Sequence, residues 1–202
     1  MRYVIGITGS IACGKSFVSS FLSKAGYKVI DTDRISHNIT ADGANVNSEL
    51  AKAFPEAVRN GVLNRKELAN IVFNNPKRRE ILNSILHPII YEITKNEINN
   101  SDGIIFVDVP LMFEAHFDEL CDRIICVYTD FNTQINRLIS RDSISYKEAL
   151  NKINSQMSLK EKMEKSDYLL KSEEDFNDTI NNITTILENI KEAYYVKTSR
   201  NI

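Results

Sequence analysis

This chain of 202 residues is poor in the features that mark several protein classes. Its three cysteines, Cys13, Cys121 and Cys126, are odd in number and lack paired metal spacing. Neither a disulfide framework nor a zinc site is therefore expected, and reduced thiols fit a cytoplasmic location. No apolar run approaches the roughly 20 residues of a membrane helix. Strand-like sequence follows directly on Met1-Arg2 and leaves no room for a signal peptide. Basic charge is not in excess: 25 Lys and Arg face 27 Asp and Glu, a net charge of −2, which argues against a general nucleic-acid binder. Repeats, linkers and low-complexity stretches are also missing. What remains, 43% hydrophobic and 26% charged, is the balance of an ordinary soluble globule long enough to bury a proper core.

Four apolar, β-branched runs read as strands buried on both faces: Val4–Thr8, Tyr27–Ile30, Ile104–Val107 and Arg123–Tyr128. Tyr168–Leu170 is a weaker fifth. Helical patterns lie between them, so the class is α/β with a parallel sheet and right-handed crossovers. About seventy residues separate the second and third strands, where a crossover needs only a dozen or more. That insertion reads as helical, at Arg65–Phe73 and Lys77–Ile98, with Pro88 expected to disturb the second helix. After the fourth strand, residues 132–165 are rich in Lys, Glu, Ser and Asn with few apolar anchors, which suits a mobile lid. Within it, residues 134–165 hold seven Lys and Arg against four Asp and Glu, suited either to an anionic ligand or to a solvated helical face. A last helix, roughly 175–195, shows Ile180, Ile183, Leu187, Ile190 and Tyr194 at helical spacing.

The most informative segment is Gly9-Ser10-Ile11-Ala12-Cys13-Gly14-Lys15-Ser16, a complete GxxxxGK[ST] phosphate loop placed between a strand and a helix. Glycines let backbone N–H groups turn inward around a polyphosphate, and the following helix aims its positive end at the same anion. Lys15 is expected to reach the β- and γ-phosphates of a nucleoside triphosphate and Ser16 to ligate Mg²⁺. Cys13, close to a helix N-terminus, is expected to have a lowered pKa and to be alkylated with loss of activity, ATP protecting it.

Other candidates stand at strand ends, where ligands bind in open α/β sheets. Asp31 and Asp33 follow the second strand, suited to hold Mg²⁺ through water or to orient an acceptor hydroxyl, although one of them can simply cap the next helix. Asp33 is the one expected nearest the acceptor. Asp108 ends the third strand as a Walker B carboxylate would, or else belongs to a turn made by Pro110. Gln134, Arg137 and Arg141 share a helix face at i, i+3 and i+7. Two lid arginines would neutralise phosphoryl oxygens as charge shifts; as surface residues they would do nothing of the kind. His87-Pro88 has no nucleophile to serve, so His87 reads as structural or as part of a substrate pocket, with Leu86-His87 forced out of regular helix.

Over nearly its full length the chain resembles the dephospho-coenzyme A kinase family. The resemblance is carried by residues 7–16, Val29-Ile30-Asp31-Thr32-Asp33, Gly61-Val62-Leu63-Asn64-Arg65, Leu82-Asn83 with His87-Pro88, Pro110-Leu111-Met112-Phe113-Glu114, Gln134 with Arg137-Leu138 and Arg141-Asp142, and Gln156. It implies a P-loop NTPase-type three-layer α/β fold with a central parallel five-stranded sheet. The nucleotide-binding core would be residues 1–33, 102–133 and 166–202, with a helical substrate-binding insertion at 34–101 and a helical lid at 134–165. It also implies transfer of the ATP γ-phosphate to the ribose 3′-hydroxyl of dephospho-coenzyme A, the last step of coenzyme A synthesis, in the cytoplasm and with no obligate protein partner. Asp33 matches the family's residue for positioning or deprotonating the hydroxyl, Arg141 its lid arginine, and Thr8 a position linked to the site. His87, Pro110 and Leu111 fall in segments expected to meet the substrate.

Two departures stand out. Ser10, Ala12, Cys13 and Phe17 replace Gly, Gly, Ser and Thr of the usual loop, and Ala12 tolerates positive φ less well than glycine. Leu170-Lys171-Ser172-Glu173 stands where the family often has an Asn-Gly turn near the adenine, which leaves the choice between ATP and GTP open. Three rival readings remain: a shikimate kinase, which also pairs a P-loop with Asp-Thr-Asp but uses a glycine triplet at the third strand; a regulatory GTPase, whose Asn-Lys-x-Asp and Asp-x-x-Gly motifs are missing; and an idle P-loop protein that binds ATP without turnover.

Overall fold

In the computed structural model, which describes residues 1–41, 48–73 and 75–199, the apolar runs become five strands of one sheet. These are β1 (Arg2–Gly9), β2 (Lys28–Asp31), β5 (Gly103–Asp108), β6 (Arg123–Tyr128) and β7 (Tyr168–Lys171), ordered β2-β5-β1-β6-β7. β1 lies at the centre, parallel to β5 with Ile5 opposite Phe106, and parallel to β6 with Thr8 opposite Cys126. β6 pairs in parallel with β7. Strands covered on both faces have no polar side to show, which is why β1 is buried from Tyr3 onward.

Side chains alternate across the sheet. On one face Tyr3, Ile5 and Ile7 join Val18 and Leu22 of α1 (Lys15–Lys24) and Ile183, Leu187 and Ile190 of α9 (Phe176–Ser199) in the main apolar core. Gly6 and Thr8 occupy the alternate positions of β1; a Cβ on Gly6 would run into Met112 and Cys121. The remaining helices of this region are α6 (Phe131–Asp142), α7 (Tyr146–Asn154) and α8 (Leu159–Glu164). Serines 145 and 158 start α7 and α8 with reciprocal capping boxes to Glu148 and Glu161.

The chain divides into two compact units, Met1–Ile30 with Ile98–Ile202, and Asp31–Glu97. The second holds α2 (Thr32–Ile39), α3 (Ser48–Ala53), α4 (Arg65–Phe73) and most of α5 (Pro76–Asn99). It also holds a hairpin, β3 (Val58–Arg59) and β4 (Val62–Leu63), that sequence periodicity does not reveal. Two residues per strand are too short to show a period, yet Asn60-Gly61, with φ of 53° and 77°, is the dipeptide a two-residue hairpin turn demands. Leu50, Phe54, Ala57, Leu63 and Leu68 form this unit's small core.

Two expectations are corrected. α5 runs unbroken through Pro88, and Leu86-His87 stays helical. The proline frees one carbonyl, that of Ser84; both residues are exposed, so water can take the lost hydrogen bond, while Leu86 and Ile90 are buried and hold the helix in place. Nor does the 132–165 segment lack anchors: Ile135, Leu138 and Ala149 are buried together, with Ile139, Ile144 and Ile153 and with Ile11 and Ala12 of the phosphate loop packed on them.

Candidate active site

The loop from Gly9 to Ser16 leaves the end of β1 and enters α1. Gly9 has no room for a side chain, because a Cβ there would strike the Val127 carbonyl. Ala12 sits at φ 63° and Gly14 at φ 91°, so the loop makes its left-handed turn with an alanine where glycine would be unstrained. Cys13 N–H bonds back to Ser10 O at 3.3 Å and closes the turn.

Lys15 pairs with Asp108 at the end of β5, and Ser19, one turn along α1, donates to the other oxygen of the same carboxylate. Asp108 is 4% exposed, so its charge rests on these partners. Asp108, for which the sequence leaves open a Walker B carboxylate or a strand-end turn, ends β5 against Lys15 and Ser19. Ser16 is exposed in the first turn of α1, on the same helix face as Ser19.

Three braces hold the loop from outside. Gln134, 2% exposed, donates to Ile11 O and to Ser10 Oγ, both at 2.8 Å. Gln156, between α7 and α8, accepts from Ile11 N–H at 3.0 Å. Ser172, after β7, sits so close to Gly14 that a Cβ there would collide with its hydroxyl, and Arg137 reaches the same place by donating to Ser172 Oγ at 3.2 Å and Glu173 O at 2.9 Å. Arg141, one turn further, is exposed and bonds its neighbour Asp142 at 2.8 Å. Arg141 and Lys152 together hold the Asp142 carboxyl well below the usual carboxylate range.

Beyond β5, Pro110 O accepts from Thr8 Oγ1 at 3.4 Å and from Lys162 Nζ at 2.6 Å. Lys162 is fully buried and paired with Glu114 at 3.0 Å, and Glu114 also accepts Met157 N–H. Leu111 is partly buried in the turn that follows. In the second unit, Asp31 Oδ1 accepts Arg34 N–H at 3.0 Å as the N-cap of α2, the capping role open to one of the two aspartates. Asp33 is exposed in the first turn of that helix, where its charge suits the helix dipole. His87 is half-buried on α5, and burial lowers its pKa.

The family profile described as CoaE, Dephospho-CoA kinase, matches residues 3–178. The chain belongs to the dephospho-CoA kinase family. A dephospho-CoA kinase from Fusobacterium nucleatum subsp. nucleatum is 37% identical over 190 residues, covering 93% of this chain and 98% of its own. Among solved structures, one titled dephospho-CoA kinase from Campylobacter jejuni is 29% identical with a TM-score of 0.68, covering 96% and 99% of the two chains. TT1252 from Thermus thermophilus, also 29% identical, superposes with a TM-score of 0.77 over 93% and 97%. These findings set the chain apart from the shikimate kinase and GTPase readings.

Within this kinase one expectation fails outright. Cys13 is 1% exposed and its pKa is pushed up to about 11, chiefly by burial; backbone contacts from Thr129 and Ser10 and the charges of Arg137 and Lys162 offset only part of that. The helix-end argument assumed an exposed thiol, and the side chain points inward instead. Sequence reasoning also missed the buried Lys162. In the stretch Leu159-Lys160-Glu161-Lys162 it reads as one more solvated charge, and no local pattern marks it as buried.

Among the described residues no cluster of three or more His, Cys, Asp or Glu is placed to hold a metal ion. Mg²⁺ does not require one, since it commonly takes one or two protein oxygens and completes its shell with phosphates and water. The Ser16 hydroxyl, on the helix face whose next turn touches Asp108, is a hard-oxygen donor of that kind.

Proposed function

We propose that the loop between β1 and α1 binds the triphosphate of ATP and that the γ-phosphoryl group passes to the ribose 3′-hydroxyl of dephospho-coenzyme A, giving coenzyme A and ADP. The family's reaction is phosphorylation of dephospho-CoA to CoA, the final step of CoA biosynthesis. The observation that carries the site assignment is Lys15, held on the buried Asp108 inside a glycine loop that opens a helix.

In this reading Thr8 supports the loop from β1, and residues 9–16 surround the phosphates. Lys15 exchanges its contact with Asp108 for the β- and γ-oxygens when nucleotide arrives. Ser16 would hold Mg²⁺, with Asp108 reaching it through water; Asp31, committed to its cap, lends only charge. The ion would supply charge neutralisation on the transferring group. Asp33 orients the acceptor hydroxyl and takes its proton as the O–P bond forms. Arg137 and Arg141 donate to the phosphoryl oxygens in the transition state, where binding must strengthen for the rate to rise. Arg137 is already fixed beside Gly14, so Arg141 is the arginine that must leave a partner, Asp142, to reach the site. Residues 34–101 are proposed to hold the acceptor, with His87, Pro110 and Leu111 along its path, and residues 134–165 to close over ATP and exclude water.

The test is ADP release with ATP, Mg²⁺ and dephospho-coenzyme A, run beside adenosine and shikimate, with mass spectrometry of the product. Turnover with dephospho-coenzyme A alone, and a product heavier by one phosphoryl group on the 3′-oxygen, is the expected result. Silence with all three acceptors despite ATP binding would leave the nucleotide site standing and overturn the acceptor.

A further inference from the structure

One residue of the phosphate loop is gripped at both of its backbone polar groups by side chains from the 131–164 region. Ile11 N–H goes to Gln156 Oε1, and Ile11 C=O receives the Gln134 amide, which also holds Ser10 Oγ. The partners fix which end of each amide is used: a backbone N–H requires an acceptor, and a backbone carbonyl requires a donor. Ile11 itself is packed against the Ile135, Leu138 and Ala149 cluster. The next residue, Ala12, is turned into the left-handed region, an unfavourable place for an alanine.

We propose that Gln134 and Gln156 are positioning residues for phosphoryl transfer. By fixing both peptide groups of Ile11 they impose the Ala12 turn and hold the loop in its phosphate-binding shape before nucleotide arrives. A loop already ordered loses less freedom on binding, and its amide donors need not reorganise as charge develops on the phosphoryl group. Because Ala12 resists the turn where glycine would accept it, the two side chains add their restraint to the Cys13–Ser10 bond that closes it. The proposal rests on the reading of residues 9–16 as the triphosphate site.

The opposite polarity of the two bonds gives a test that general destabilisation would not mimic. Gln156→Glu keeps an acceptor for Ile11 N–H. Gln134→Glu loses the donor and sets a carboxylate against the Ile11 carbonyl. Both substitutions add the same formal charge, but Gln134 is buried and Gln156 only partly so, and the thermal midpoint is measured beside affinity so that the cost of burying a carboxylate at 134 is separated from hydrogen-bond direction. ATP affinity by calorimetry, kcat, both KM values and the thermal midpoint are to be measured on the full chain.

The expected result is that Gln134→Glu weakens ATP binding and raises KM for ATP at least about tenfold more than Gln156→Glu does, the loss associated with one good hydrogen bond. Gln134→Leu and Gln156→Leu each lose about tenfold, while KM for the acceptor stays unchanged. Equal losses in the two Glu variants, or folded Leu variants that bind ATP as the unaltered chain does, would overturn the proposal. If a Leu variant fails to fold, the Glu pair still decides. Failure of the unaltered chain to bind ATP would overturn the loop reading and this proposal together; normal binding with indifferent variants would overturn this proposal alone.

Discussion

The phosphate loop and the Asp31–Glu97 unit are held together in different ways. Around the loop, polar side chains from four separate stretches converge: Asp108 on Lys15, Gln134 and Gln156 on Ile11, and Ser172 with Arg137 beside Gly14. Among the described residues of the second unit, Leu50, Phe54, Ala57, Leu63 and Leu68 form a small apolar cluster, and the Arg78–Glu56 ion pair, at 3.0 Å and partly exposed, adds little. A triphosphate has the same shape in every turnover, so fixed donors serve it. A unit proposed to hold a long acceptor needs only enough core to stay folded, and Asp33, in the first turn of α2, is exposed.

That contrast separates binding from chemistry, and Asp33→Ala is the sharpest way to break it. The variant should lose about 10²- to 10⁴-fold in turnover while ATP affinity, set by the loop, is unchanged. Steady-state rates and calorimetry decide it; a rate close to normal would remove Asp33 from the mechanism.

The close packing of the loop can be challenged through Cys13. With its pKa near 11 against an ordinary 9.0, the thiolate is about 100-fold scarcer, and burial blocks access as well. Iodoacetamide at pH 8 should label Cys13 at least about 100-fold more slowly in the native chain than in urea. ATP should add little protection. Fast native labelling, read by peptide mass spectrometry, would show that the braces let the loop open.

The second unit should be the more sensitive to truncation of its core. Leu68, 3% exposed, sits in the small cluster, and Leu68→Ala should cost about 2–5 kcal/mol in urea unfolding. ATP affinity should survive it. A parallel loss of ATP binding would mean that the two regions are not energetically separate.

The smallest effect expected is one of pH. Burial lowers the pKa of His87 below its ordinary 6.5, so as pH falls the unfolded chain takes up the proton before the folded one. Its contribution to stability is therefore complete above about pH 6.5 and is lost as pH drops toward the lower folded-state value. His87→Gln should flatten the dependence of the urea midpoint between pH 7.5 and pH 5.5, a window chosen around the histidine range of roughly 6.5.

Much of this was legible in the chain. The strand at Arg123–Tyr128 and the helices at Lys15–Lys24 and Arg65–Phe73 fall where the apolar spacing places them, because local periodicity records which face is buried. The phosphate loop was legible because its function depends on residues adjacent in sequence. Pro88 misled because its cost depends on what surrounds the orphaned carbonyl, and here Ser84 faces solvent. The hairpin at 58–63 carried an Asn-Gly signal too short to stand out against the helices around it.

The sequence by itself determined the α/β class, the phosphate loop and the family, since each is encoded in residue order and short-range spacing. Only the tertiary structure decided that Cys13 is buried with its pKa pushed up, that Lys162 lies buried against Glu114, and that two glutamines 22 positions apart close on one residue of the loop. Burial, pKa and long-range hydrogen bonds depend on what a side chain meets after the chain has folded, and neighbours in sequence do not specify those partners.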